Sequence, residues 1–527
     1  MLKRAVSIGL CSWPFLGCSS VAASVPNVPA ELVAQCPAAN PACGSQNPAL
    51  TPAASASATR SEVTPPPPVN PPAPVAALTP VYNREVLKLR AQAQRRVLGD
   101  VPLIEDEQGK LVTINDVQAP APGVAQTPLV HFVGIENEHA LDHFHQALEE
   151  LATGRDPDGK LRIAIYGASH TQGDLYTGYL RYYLQSRFGN GGPGFFQVAK
   201  LNAYYRTLDF KVDSTGFRVE WAQRKDAPDV GRYGLLGAAA VGQFPYARVL
   251  VTPANERDLA YAAERYELYF DKGPAAGDFK LRVDEGKAET VTGHAESVSA
   301  GYFAFQRPKG WHEIEVRPKG NGPVRLFGIS VERNEPGIVI DTLGINGTRA
   351  ANLLRWDEAL WSEQLTRRAP ELAIVAYGTN EVTDTGEAIT TYTENLRQVL
   401  TRLRKALPTQ SCLLVGPGDF PKGEDEVWQT RPRLLQIIDV QRRLAPEFNC
   451  GFWDTFAFMG GEGSMHRWVS VRPALGSPDH IHFTARGYVQ MGMALGDALM
   501  RAYDAFHLLP DPPPASASPE LNALLDR

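Results

Sequence analysis

Beyond its N-terminal stretch the chain has no apolar run long enough to cross a bilayer, which excludes a helical span from the bulk of the molecule. It also lacks a charge surplus. Its 52 Lys and Arg against 58 Asp and Glu leave a formal net charge of -6, with no basic block suited to nucleic acid or another polyanion. Cysteine is scarce. The 6 present form no C-x-x-C pair and no Cys/His spacing of the zinc-binding kind.

What is present begins with an export signal. "MLKR" is a basic lead and "AVSIGLCSWPFLG" an apolar core of signal-peptide length. "FLGCSS" offers Cys18 for lipidation and "SVAAS" offers cleavage after Ala23, so the signal occupies 1–23. Membrane attachment is expected only through a lipidated Cys18, and the location is the periplasm or cell envelope. Export permits disulfides. Cys36 and Cys43 enclose a short loop, while Cys412 and Cys450 each open an apolar run on what should be neighbouring strands; a disulfide or an inert thiol is the expectation.

At 527 residues the chain exceeds one compact core, and its composition changes along its length. Residues 24–82 are rich in Pro, Ala, Ser and Thr and spell an extended tether; 509–527 form a similar tail. Residues 83–154 make a helical extension. In "EHALDHFHQALEELATG" Leu141, Phe144, Leu148 and Leu151 recur at helical spacing and Gly154 suits the C-terminal cap. His139 and His143 lie off that stripe one turn apart, as do the ligands of some metal sites, although a solvated face is the simpler expectation.

Residues 155–200 and 334–508 alternate continuous apolar strands ("LRIAIYG", "GIVIDTLG", "LAIVAYG", "CLLVG", "CGFWDTF") with amphipathic helices. That pattern predicts a flavodoxin-like α/β fold: a parallel sheet with helices on both faces. Between the two segments, residues 201–333 give short runs of alternating polarity separated by turns, an inserted all-β sandwich or jelly roll. Its Trp221, Tyr266 and Trp311 are either core or surfaces on which sugar rings stack.

Sites in parallel sheets lie beyond the carboxyl ends of the strands, and polar residues gather there. Ser169 follows the first strand, Gly344 and Gly347 the second, Asn380 the third, and Asp479, His480 and His482 precede the last helix. A Ser nucleophile needs a base, an acid that orients the base, and donors aimed at the developing oxyanion. His482 and Asp479 suit the first two roles. The N–H groups of Ser169 and Gly347, with the Asn380 amide, suit the third. Taken singly each has a plainer explanation: Ser169 a helix cap, Gly347 a turn glycine, Asn380 a turn residue.

The ordered blocks "YGASHTQGD", "GINGTRA", "YGTNE" and "DHIHF" resemble those of the SGNH, or GDSL, hydrolases. Together with "RFGNGGPGF" and "FMGGEGSMHRW" they are similar to a periplasmic branch that contains peptidoglycan O-acetylesterases carrying an inserted jelly roll. The resemblance implies a serine esterase acting through Ser169, Asp479 and His482, with Ser169, Gly347 and Asn380 as the oxyanion hole. It needs no cofactor, and its partner is an O-acetylated glycan. The same triad would also serve an O-acetyltransferase, an esterase of another polysaccharide or, if inactive, a glycan-binding protein. Two departures stand out. Ala168 replaces the Asp of the first block, and Glu381 replaces the commoner Asp of the third. His170 and His480 are competitors for the role of base.

Overall fold

The computed structural model describes residues 84–99, 104–105, 111–112 and 129–507, apart from 225, 257, 425 and 426. The signal with Cys18 and Ala23, the 24–82 tether with Cys36 and Cys43, and the 509–527 tail lie outside these. Among the described residues no helix is long and apolar enough to cross a membrane.

Six strands form one wholly parallel sheet. They are β1 (Lys160–Gly167), β2 (Asn190–Gly192), β3 (Gly337–Gly344), β4 (Leu372–Ala376), β5 (Ser411–Val415) and β6 (Gly451–Trp453), in the order β6-β5-β4-β1-β3-β2. Every residue of β1 is buried because both its faces are covered. Leu161, Ile163 and Ile165 face the helices Arg84–Leu98, Asp142–Ala152, Tyr176–Phe188 and Ala485–His507. Ala164 and Tyr166 face the helices Glu358–Arg368, Ile389–Ala406 and Pro432–Glu447. This is the α/β architecture that the unbroken apolar runs imply.

The register lines up the functional edge. Gly344 and Ala376 both pair with Gly167, so β1, β3 and β4 end abreast. Close packing there requires glycine: a Cβ on Gly167 would lie 2.0 Å from Thr171 Oγ1, and one on Gly344 would lie 2.3 Å from the Gln172 backbone nitrogen. The turn carrying Ser169 is thereby pressed onto the strand ends.

The β-rich segment forms two antiparallel sheets, one of six strands and one of five. Strand Gly194–Phe196, ahead of the expected boundary at 201, already pairs with Val324–Glu332 in the larger sheet. The insert does not stand apart. One continuous apolar core contains Leu268, Phe327 and Ile329 of the sandwich together with Tyr166, Val375 and Leu400 of the α/β layer. A buried ionic network crosses the same boundary. Glu332 accepts from Arg162 of β1 (Nε, 2.9 Å) and from Arg368 (Nη1, 2.8 Å), and Arg368 also grips Asp341 of β3. Burial alone would raise the Glu332 pKa, but the two guanidinium groups outweigh it and hold the carboxyl well below its usual range.

Cys412 and Cys450, at the starts of adjacent strands, form a disulfide. Their separation of 38 residues gives, by chain entropy, about 2–4 kcal/mol of stabilisation. Cys412→Ser with Cys450→Ser is expected to lower Tm in a scanning calorimetry run, and a Tm equal to that of the oxidised parent would show that the bridge constrains nothing.

In the N-terminal extension Leu141, Phe144 and Leu148 are fully buried, as their spacing predicts. His143 pairs with Glu371, and His145 Nε2 lies 2.9 Å from the Leu499 carbonyl. His139 is exposed. Among the described residues no three His, Cys, Asp or Glu side chains group as metal ligands would.

Candidate active site

Ser169 opens the one-turn helix Ser169–Gln172, two residues past the end of β1. Its Oγ lies 2.9 Å from His482 Nε2, and His482 Nδ1 lies 2.7 Å from Asp479 Oδ2. The other carboxylate oxygen, Oδ1, accepts from the backbone N–H groups of Ile481 (3.0 Å) and His482 (2.9 Å). Burial would push Asp479 up, but the hydrogen bonds from the His482 ring and these two amides prevail and hold its carboxyl below the ordinary value. An ionised acceptor at Nδ1 puts the imidazole proton there and leaves Nε2 free to take the proton of Ser169. The side chains of His482 and Asp479 are 40% and 45% exposed, so the chain of hydrogen bonds ends at the surface, within reach of a polymer.

The oxyanion-hole candidates sit on the neighbouring strand ends. Gly347 has φ 75°, a left-handed conformation that glycine adopts freely. Asn380 begins the 3-10 turn Asn380–Thr383, and its Nδ2 donates to the Thr348 carbonyl (2.8 Å). The third block is thus tied to the second one residue from Gly347. Among the described residues neither the Ser169 nor the Gly347 N–H is taken up by a protein acceptor, so both remain available to a ligand. Gln172 joins the first block to the second: its Oε1 accepts from the Asn346 N–H at 2.9 Å.

Neither competing histidine is placed to act as base. His170 Nδ1 is 3.0 Å from Tyr488 OH, and its ring packs on His482, Phe483 and Tyr488. Burial, and then the nearby His482, lower its pKa to about 3, so it stays neutral beside the triad. His480 has φ 55° and stacks on Trp428, ring centroids 3.5 Å apart, with Nε2 3.1 Å from His466 Nδ1.

Ala168 leaves the nucleophile turn without the block's usual carboxylate. The nearby acid is instead Asp174, buried, bonded to Thr177 Oγ1 (2.8 Å), Thr342 Oγ1 (3.1 Å) and Arg181 Nη2 (2.7 Å). It ties the helix that follows the turn, through Thr177 and Arg181, to Thr342 of β3.

The motifs gave no sign of Gln223. It belongs to the insert, yet its Nε2 donates to the Gly347 carbonyl at 2.5 Å. No local pattern could reveal a contact made across 124 residues. Of the three aromatic candidates in the insert, Tyr266 is buried and stacked on Phe305, hence core. Trp221 packs half-buried on that core, and Trp311 donates its indole N–H to the Asp258 carbonyl at 3.0 Å.

Comparison with known proteins follows this geometry. Residues 297–490 match the GDSL-like Lipase/Acylhydrolase family. The match contains Gly347, Asn380, Asp479 and His482 and starts after Ser169. This segment is similar in sequence to the GDSL, or SGNH, hydrolases.

Among solved structures, one titled "Peptidoglycan O-acetylesterase in action, 5 min" is 24% identical and superposes with a TM-score of 0.60, covering 70% of this chain and 99% of that one. That likeness extends the shared fold to the inserted sandwich. An acetyl xylan esterase (16% identity, 31% of this chain and 80% of that one) and a family two carbohydrate esterase from Cellvibrio japonicus (11% identity, 56% and 99%) each give a TM-score of only 0.24. No curated protein sequence matches the chain.

Proposed function

We propose that the protein is an exported serine esterase that removes O-acetyl groups from a cell-wall glycan, with the acetylated muramic acid of peptidoglycan as substrate. The observation that carries this reading is the continuous hydrogen-bond chain Ser169–His482–Asp479 at the sheet's carboxyl edge. Ser169 Oγ attacks the acetyl carbonyl while His482 Nε2 takes its proton. The tetrahedral oxyanion is held by the N–H groups of Ser169 and Gly347 and by the Asn380 amide. His482 then returns the proton to the departing sugar hydroxyl, leaving an acetyl ester on Ser169. Water, activated by the same imidazole, repeats the sequence and releases acetate.

Two features support the substrate class. The triad is open to solvent, as a polymer requires. The signal-like N-terminus and the Cys412–Cys450 disulfide agree with an envelope location.

The test is acetate release from O-acetylated peptidoglycan, measured beside O-acetylated xylan and p-nitrophenyl acetate. Release from peptidoglycan at the highest kcat/KM is expected. Preference for xylan would overturn the choice of glycan, transfer of acetyl to added glycan without free acetate would make the protein a transferase, and inertness on all three would leave a binding protein. Asn380→Ala is expected to lower kcat about 10²–10³-fold with KM little changed, because the amide serves the transition state. A rise in KM alone would assign Asn380 to substrate binding instead.

A further inference from the structure

The third block differs from the commoner pattern at Glu381, and the structure gives that residue an unusual setting. Its side chain is buried beside the candidate oxyanion hole. Oε1 accepts the Ala350 N–H (2.9 Å), and Oε2 accepts the Gly378 N–H (3.2 Å). Ala350 lies three residues after Gly347, and Gly378 two before Asn380. One carboxylate therefore spans both loops that carry oxyanion donors, while Asn380 Nδ2 joins them a second time at Thr348.

Geometry makes the charged form the one that fits. Two backbone donors converge on two oxygens, and only an ionised carboxylate accepts at both without presenting a hydroxyl to either. Gly378 itself has φ 127°, so its N–H is aimed by a conformation that favours glycine.

We propose that Glu381 is a positioning residue that, as a carboxylate, clamps the Gly347 and Asn380 loops in register for oxyanion stabilisation and so makes turnover depend on its ionisation. This rests on the esterase reading above.

The charge is held against resistance. Burial raises the Glu381 pKa to about 7, opposed by its backbone hydrogen bonds and by Arg349. The charged or titratable groups around it are Arg349 and Asp384, paired through two 2.6 Å bonds, with Tyr377 and Tyr392 behind. Protons have a route: Glu381 lines a cavity of about 390 Å³ with Arg349, Asp384, Glu387 and Asn395. As pH falls through about 7 the carboxylate protonates, one acceptor is lost, and the two loops are no longer joined there. The clamp is thus present above that pH and absent below it.

The experiment uses p-nitrophenyl acetate and the full mature chain, comparing wild type with Glu381→Gln and Glu381→Asp from pH 5 to 9. For the wild type, kcat is expected to fall on the acid side with two ionisations, one of them that of Glu381. Glu381→Gln is expected to lose about 10–100-fold in kcat at pH 8 with KM within about twofold, and its acid limb to show one ionisation. Glu381→Asp keeps the charge and is expected to keep the two-step limb at reduced kcat. A Gln variant with wild-type kcat and an unchanged acid limb would overturn the clamp. So would a Gln variant that does not fold beside an Asp variant whose limb has one step. Wild-type protein inert on this ester would instead sink the esterase reading itself, an outcome distinct from either.

Discussion

Ser169→Ala is expected to abolish acetate release, with kcat/KM down by at least about 10⁴-fold on any acetyl ester. The size follows from what the hydroxyl does: it is the atom that bonds to the acyl carbon, and no neighbour can replace it. His170, next in the chain, is held by Tyr488 and kept neutral by burial. Among the described residues the only side chain hydrogen-bonded to Ser169 Oγ is His482, so the variant should melt within a degree or so of the parent, and loss of activity then reports chemistry and not folding. Acetate release measured by an enzyme-coupled assay checks it. Turnover within tenfold of the parent would mean that Ser169 is a helix cap after all.

Asp479→Asn is expected to cost about 10³–10⁴-fold in kcat with KM nearly unchanged. The Ile481 and His482 amides both point at Oδ1. They would fix the new side chain with its oxygen toward them and its NH₂ toward His482 Nδ1. The ring must then carry its proton on Nε2, where it can no longer accept from Ser169. The variant keeps the shape of the site and inverts the polarity of the base. Steady-state kinetics on p-nitrophenyl acetate decide it, and a loss below tenfold would show that the acid orients nothing.

The strands that build the site were legible because a doubly covered strand must be apolar throughout. "LRIAI", "GIVI" and "LAIV" are all buried in β1, β3 and β4, and their aligned ends explain why four separated blocks sit at one edge. The disulfide was half legible, since strand adjacency brings Cys412 and Cys450 together without deciding their oxidation.

What stayed hidden depends on side-chain direction or distance along the chain. His480 and His482 look alike in "DHIHF", and only the φ of 55° at His480 sends its ring to Trp428. The hairpin carrying Trp428, Pro421–Glu424 against Val427–Thr430, has too few apolar residues to announce itself. Tyr266 in "RYELYF" gave no sign whether it faced core or solvent until the pairing partners of its strand were known. Glu381 stood in a recognised block, but its bond to Ala350 requires the second and third blocks to be folded together.

The apolar core shared by the sandwich and the α/β layer bears on how such a molecule can be rearranged. A bead on a string can be snipped out and traded between genes, because little but linker is cut. Here cutting at both junctions would open the surface around Tyr166, Phe327 and Val375 to water and strip Glu332 from the two guanidinium groups it neutralises. The excised sandwich would be a sticky fragment, and Arg162 and Arg368 of the remaining α/β part would each lose one of their carboxylate partners. Ancestors that exchanged this insert would therefore have needed matching changes on the sheet face beneath it. By packing and charge the two pieces are a graft that has healed, and not a detachable tool.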